Sequence, residues 1–296
     1  MFPETPDRVL PALAFRSLIS RVSRYETLPI MDRKTIGLAL SGGGARGFAH
    51  VGVLKALIDN GIPIDYVAGT SAGAFVGGAF AAGMSPEDLM KAGKGFNWFR
   101  IAGLSYSPRG LLSNAKMGDF FKQQFPDGKF EGMKIPFAAV ACDLVTGDEV
   151  ILSGSGDLST AIRASCAIPG VFLPVEDHEG RSLIDGGVIS PVPIRAIRQF
   201  GPDIVIAVDL MACGASFWGK PRTLLGTLFQ SAMLLLRSAS RNQHYAADIV
   251  IEPQIAHIRP DQMSKRDELF DLGNKAANEK IAEIKVLLDI QRNALP

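Results

Sequence analysis

Ser71 is the residue whose neighbours best suit it to chemistry. It lies in Gly69-Thr70-Ser71-Ala72-Gly73, after the apolar run Tyr66-Val67-Ala68 and before the small-residue run Ala74 to Phe80. Strand, Gly-x-Ser-x-Gly, helix is the context in which that pentapeptide makes a nucleophile elbow. A serine held at a sharp strand-to-helix turn adopts a strained backbone and leaves no room for bulk two positions away, which Gly69 and Gly73 provide. The helix that follows aims free N–H groups and the positive end of its dipole at the hydroxyl, favouring negative charge there. The chemistry is nucleophilic attack on a carbonyl. Glycine-rich turns also carry incidental serines, so Ser71 needs partners.

A carbonyl under attack turns its oxygen into an anion, which requires donors about 3 Å away. Gly42-Gly43-Gly44 offers bare backbone that can approach so closely, and loss of one such donor typically costs about 3 kcal/mol of transition-state stabilisation. The hydroxyl also needs a base. His50 falls inside the helix after the glycine loop, and His178 in a hairpin turn. His244 and His257 stay open by chain order as the base of an ordinary Ser-His-Asp hydrolase, although no motif surrounds them. Asp185 has a context: Leu183-Ile184 brings it in as a strand, and Gly186-Gly187 lets the chain turn sharply. In a direct Ser–Asp dyad the site would have to raise the carboxyl pKa by burial or hold it against the hydroxyl, because an ordinary aspartate is a weak base.

The elements that must position these residues follow from periodicity. Ile36 to Leu40 reads as a strand ending in the glycine loop Ser41 to Gly47. Phe48 to Asn60 follows with helical spacing, then the strand that delivers Ser71, and this order opens a parallel α/β sheet. Ser85-Pro86-Glu87-Asp88 is a helix start, and Ser113-Asn114 begins another helix through Phe125. Pro136 to Ala141 and Glu149 to Leu152 read as strands, Asp157 to Arg163 as a short helix, and His178-Glu179-Gly180 as the turn of a hairpin that delivers Asp185. Pro193 to Phe200 is a helix, Ile204 to Asp209 a central strand, and Asp248 to Glu252 an edge strand. Asp185 thus sits where a strand stops, and in an open parallel sheet ligands bind at the carboxyl ends of strands.

Thr223 to Leu236, between Arg222 and Arg237, is mostly apolar but too short to span a bilayer. Two roles stay open: a core or subunit-interface helix, giving a homo-oligomer through residues 222–237, or a helix with a membrane-touching face. Asp267 to Gln291 is an amphipathic helix that Gly273 should weaken or break. Gly93 to Gly110 holds Phe96, Trp98, Phe99 and Tyr106 and reads either as a pocket wall or as a surface loop. Val171, Phe172 and Leu173 are candidates for an apolar pocket lining.

Of 296 residues, 47% are hydrophobic and 21% charged, enough for a large core and inconsistent with a disordered chain. A net charge of +1 argues against nucleic acid as a partner. Cys142, Cys166 and Cys213 are an odd number, lie far apart and form no Cys-x-x-Cys pair, so neither a disulfide framework nor a zinc site is expected. The start, with prolines and acids in its first eight residues, lacks the form of a signal peptide, and the expectation is a cytoplasmic protein, peripheral at the membrane where its substrate demands it. Residues 1–33 form an N-terminal arm or extra helix, and 34–296 a hydrolase domain with a C-terminal helical extension from about residue 215.

Four blocks, Gly42-Gly43-Gly44-Ala45-Arg46-Gly47, Gly69-Thr70-Ser71-Ala72-Gly73, Ala164-Ser165 through Pro169 and Phe172, and Asp185-Gly186-Gly187, resemble in order the motifs of the patatin-like phospholipases, particularly the bacterial group. The resemblance covers about Ile36 to Asp209. It implies a three-layer α/β/α fold with a mostly parallel central sheet and lipid acyl hydrolase activity of the phospholipase A, lysophospholipase or esterase type. In that scheme Ser71 is the nucleophile, Asp185 the base, and Gly42, Gly43, Gly44 and Arg46 the oxyanion-binding segment. It implies neither cofactor nor metal, and a lipid or other acyl ester as substrate.

Three rivals remain. Gly42-x-Gly44-x-x-Gly47 after a strand satisfies the dinucleotide fingerprint, which also wants an acid at the end of the second strand; Gly69-Thr70-Ser71 stands there, with Asp65 at the beginning. An ordinary α/β-hydrolase would use His244 or His257. A non-catalytic scaffold of the same fold would bind lipid or a partner without turnover.

Overall fold

The computed structural model describes residues 33–289 apart from 96–101, 106, 108, 126 and 215–219. The N-terminal arm expected over 1–33 lies almost wholly outside the described residues, as do Phe96, Trp98, Phe99 and Tyr106. In chain order the first half contains β1 (Ile36–Leu40), α1 (Phe48–Asp59), β2 (Tyr66–Thr70), α2 (Ala72–Ala81), α3 (Pro86–Gly93), the short strands β3 (Gly103–Leu104) and β4 (Leu112–Ser113), α4 (Ala115–Gln124) and β5 (Phe137–Asp143). The second half contains β6 (Glu149–Ser153), α5 (Leu158–Ser165), β7 (Val175–Glu176), β8 (Ser182–Asp185), α6 (Ile194–Arg198), β9 (Ile204–Val208), α7 (Leu224–Gln243), β10 (Ile249–Ile251), α8 (Arg266–Asn278) and α9 (Ile281–Asp289).

Strands apolar at nearly every position must be covered on both faces, and β1, β5 and β9 are buried throughout. Ile36, Leu38, Leu40, Ile204, Ile206 and Val208 share one core with α1, α2, α5 and α8. The alternate residues Ala39, Ala68, Ala138, Val205 and Ala207 pack against Ile194, Ala196 and Ile197 of α6 on the other face. Large side chains on one face and mainly small ones on the other produce a thick helical layer and a thin one. The sheet order is β10-β9-β1-β2-β5-β8-β7, with β6 also paired to β5. β10, β9, β1, β2 and β5 run parallel, while β6, β8 and β7 are antiparallel to their neighbours, so the expected mostly parallel α/β/α architecture holds.

Two helices depart from expectation. Gly273 lies inside α8 rather than breaking it, because a Cβ there would come 2.0 Å from the Ala49 carbonyl oxygen, and one on Gly52 would come 2.0 Å from that of Phe270. The glycines let α8 and α1 cross backbone against backbone, and that packing outweighs about 1 kcal/mol of poor helix propensity. α7 runs beyond Leu236 to Gln243, and Leu224, Leu228, Leu234 and Leu235 are exposed, so it is not a core helix. No described helix is long and apolar enough to cross a membrane.

Candidate active site

Ser71 caps the N-terminus of α2 with φ 54° and ψ −120°, the only non-glycine residue at positive φ among the described residues. Such a backbone costs on the order of 1–3 kcal/mol and persists only where its surroundings over-determine it. The flanking glycines supply the room: a Cβ on Gly69 would sit 2.4 Å from the Gly73 backbone, and one on Gly73 would sit 2.1 Å from the Leu40 carbonyl oxygen.

A three-residue segment at the end of α5 grips the turn. The Ser71 N–H donates to Ser165 Oγ at 2.9 Å, and Ser165 Oγ donates to the Val140 carbonyl at 2.6 Å. The Cys166 thiol, kept protonated because burial pushes its pKa well up, donates to the Ser71 carbonyl at 3.2 Å. The Ala167 carbonyl accepts from the Asp185 N–H at 2.9 Å. Ser165, Cys166 and Ala167 therefore hold both Ser71 and Asp185. Sequence reasoning noted the segment as a motif block and assigned it no task; a buried hydroxyl on the last residue of a helix gives no local clue to a partner 94 positions away.

Strand pairing explains why Ser71 and Asp185 meet. Residues 138–142 of β5 pair with β6 along one edge. Along the other edge β2 runs parallel up to Thr70 opposite Val140, and β8 comes from the opposite direction to end with Asp185 opposite Ala141. Two strands thus end head to head on one edge of β5, with the serine turn and the aspartate turn at their junction. The carboxyl-end placement inferred for Asp185 holds, but through an antiparallel strand.

The Asp185 carboxyl lies beside the Ser71 hydroxyl and accepts a hydrogen bond from the Gly187 N–H at 2.8 Å. Burial raises its pKa to about 6, against the opposing pull of the Ser71 hydroxyl and the Gly187 N–H. Removal from water disfavours the charged form, and these two donors are too few to restore it fully. The result is a carboxyl poised near neutrality against a serine hydroxyl.

The glycine loop is narrower in its offering than its composition suggests. The Gly42 N–H donates to the Pro191 carbonyl at 3.1 Å, and Gly42 lies beside Ser71, where a Cβ would approach the serine Cβ to 3.5 Å. Gly44 has φ +59° and a Cβ there would meet the Pro260 carbonyl oxygen at 2.6 Å. The N–H groups of Gly43 and Gly44 have no carbonyl partner among the described residues. Arg46 does not fit the role implied by the resemblance: its side chain is buried and donates to the carbonyls of Ile258 at 2.8 Å, Leu210 at 3.1 Å and Gly214 at 3.4 Å. Five N–H donors suit a guanidinium to tying backbone together, and Arg46 fastens the glycine loop to the chain after β9 and β10. The bracing by Pro191, Ile258 and Pro260 was invisible in the sequence, because carbonyls carry no residue signature.

None of the four imidazoles serves Ser71. His50 Nε2 lies 2.8 Å from the Ser41 carbonyl, and burial lowers its pKa to about 4. His178 is exposed beside Glu179, His257 pairs with Glu268 at 2.8 Å, and His244 contacts Asp209 at 2.7 Å. Asp65, the acid a ribose would require, is bound to Arg33 and to the Ile36 N–H at the far end of β2.

Ser71 opens into an apolar cavity of roughly 110 Å³ lined by Phe48, Phe75, Met117, Phe120, Phe172 and Met263 among others. Phe172 lines it as expected, whereas Val171 and Leu173 do not.

Fold and site together define an α/β/α protein whose strained serine turn faces an apolar pocket. The chain belongs to the patatin-like phospholipase family, whose model matches residues 38–198. It is 35% identical over 215 residues to a patatin-like phospholipase domain-containing protein of Caenorhabditis elegans, covering 70% of this chain and 15% of that one. It is 42% identical over 177 residues to an uncharacterized NTE family protein of Mycobacterium tuberculosis, covering 59% of this chain and 49% of the relative. The chain thus spans half or less of these relatives' lengths. Among solved structures, VipD from Legionella pneumophila shares the fold at a TM-score of 0.51 and 14% identity, over 88% of this chain and 70% of that one.

Proposed function

We propose that the chain hydrolyses carboxylic esters of lipids with Ser71 as nucleophile and Asp185 as general base. The Asp185 carboxylate takes the hydroxyl proton as Ser71 attacks the ester carbonyl, and returns it to the departing alcohol. Water, deprotonated by the same carboxylate, then releases the acid from the acyl-serine. The Gly43 and Gly44 N–H groups, with the first amides of α2, are the donors for the oxyanion, and Gly42 contributes space beside Ser71 rather than a donor. Arg46 supports the loop from behind.

The observation that supports this reading is the Ser71 hydroxyl beside a buried carboxyl whose pKa is raised to about 6, at an apolar cavity. The apolar lining selects a fatty acyl group as the part of the substrate held there, in keeping with the name of a Yarrowia lipolytica lysophospholipase 32% identical over 187 residues. A fluorophosphonate probe should label the native protein at Ser71 and leave the Ser71→Ala variant unlabelled. Label on Ser71→Ala at another residue, or ester hydrolysis that survives it, would overturn the assignment, and a folded native protein that neither labels nor hydrolyses acyl esters would favour the scaffold reading.

A further inference from the structure

From Leu210 to Ala247 the sequence contains no Asp or Glu, yet it carries Lys220, Arg222, Arg237 and Arg241. Within this stretch α7 sets Leu224, Leu228 and Leu235 on one helical stripe, and they are 76%, 58% and 73% exposed. The opposite side of the helix holds it to the body. Leu236 reaches Gly187, where a Cβ would touch it at 3.9 Å; Ser240 bonds Asp209, and Gln243 accepts from the Val192 N–H at 2.8 Å. Among the described residues, apart from the Thr227 hydroxyl bonding the Thr223 carbonyl at the helix's own start, the side-chain hydrogen bonds from α7 to the rest of the chain come from Arg237 onward. The first half of the helix therefore presents Leu224 and Leu228 to water. Val188 and Ile189, just after the Asp185 turn, are half-exposed and bring further apolar surface to the same turn that Leu236 packs on. Leucines scattered singly on a surface need no explanation; a stripe of them does.

We propose that this face of α7 is a docking surface for an anionic lipid bilayer. Lys220 and Arg222, exposed just before an acid-free amphipathic helix, complement negative headgroups, while the leucine stripe enters the boundary with the acyl chains; Arg237 and Arg241 instead donate to the Ala212 carbonyl of the body. A second copy of the chain fits less well. A twofold interface sets a patch against itself, and α7 has no carboxylate with which one copy could answer Lys220 and Arg222 of the other. Because Leu236 packs on the turn that carries Asp185, the docked helix brings the dyad to the surface from which a lipid would be drawn. This purpose rests on the acyl hydrolase reading; the docking itself does not.

The test is cosedimentation of the full chain with vesicles of phosphatidylcholine alone and of phosphatidylcholine mixed with phosphatidylglycerol. The mixed vesicles should bind the protein more tightly, and added salt should weaken that binding. Leu228→Asp with Leu235→Asp should reduce partition at least about tenfold, with the melting temperature and hydrolysis of a water-soluble short-chain ester unchanged. Arg222→Ala should cost about fivefold on the mixed vesicles and little on the neutral ones. Ser71→Ala should bind as the native chain does, which separates docking from hydrolysis. Vesicle binding without ester hydrolysis would sink the hydrolase reading and leave docking standing. Hydrolysis of the soluble ester by a chain that sediments with neither vesicle would overturn docking. A dimer that the leucine substitutions dissociate, with vesicle partition unaffected, would also overturn it and assign the face to a second copy.

Discussion

Two buried aspartates, each at the carboxyl end of a strand or one residue beyond it and each beside a serine hydroxyl, are tuned in opposite directions. Asp185 lies beside the Ser71 hydroxyl and accepts from the Gly187 N–H, and burial prevails, raising its pKa to about 6. Asp209, after β9, is also pushed up by burial. There the bonds from His244, Ser240 and the Met211 N–H prevail, with the Ala212 N–H at 3.2 Å as a further donor, and hold the carboxyl below its ordinary value. Asp209, His244 and Ser240 have the residue types of a triad, but serine and imidazole both bond the carboxylate instead of each other. Residue type therefore does not make a base. A carboxylate saturated with donors stays ionised as a structural anchor, and one left short of donors is ready to take a proton.

Replacing the two serines gives the sharpest contrast. Ser71→Ala should lower kcat for an acyl ester by on the order of 10⁴-fold or more, whereas Ser240→Ala should leave kcat within a few fold and lower the melting temperature. A comparable loss of activity in both variants would break the distinction. The pH profile tests the same point. Only ionised Asp185 can accept a proton, so kcat should fall about tenfold per pH unit below about 6, and a profile flat down to pH 4 would deny Asp185 its role.

Next in size is Ser165→Ala. Loss of the bond to the Ser71 N–H lets the elbow shift, and kcat should drop roughly ten- to hundredfold at nearly constant KM. The acid limb should also move to higher pH as Ser71 donates less well to Asp185, a change that general loosening of the fold would not cause.

Neutralising each aspartate should move stability in opposite directions at pH 7. Asp209→Asn breaks charge-assisted bonds in a buried site and should cost about 2 kcal/mol or more in denaturant unfolding. Asp185→Asn should stabilise by about 1–2 kcal/mol. The sign follows from the raised folded pKa: stability from Asp185 is full below the ordinary value of 3.8 and is lost as pH rises through about 6. The smallest effect belongs to His244. Its bond to Asp209 raises its pKa, so its contribution to stability is full below 6.5 and fades as pH climbs through the raised value. The native melting temperature should decline across that window relative to His244→Gln.

Local signals in the sequence were enough for the strand-turn-helix units. Ser85 caps α3 by accepting from the Asp88 N–H, as its Ser-Pro-Glu-Asp start suggested, and the hairpin at His178-Glu179-Gly180 delivers Asp185 as read. Gly273 misled, since its cost to a helix is local while the crossing it permits with Gly52 is not. The apolar period of α7 was likewise visible, but periodicity marks a face without saying whether protein covers it.

What the sequence alone determined is the strained serine turn with its two glycines and the strand that feeds it. Steric demands between residues a few positions apart dictate those features wherever the chain folds. Tertiary structure alone decided that β2 and β8 end against each other on β5, that Pro191 occupies the Gly42 amide, that Arg46 turns away to brace the loop, and that one aspartate of two is left short of donors. Each of these depends on which distant backbone groups come within about 3 Å, and no spacing along the chain records that.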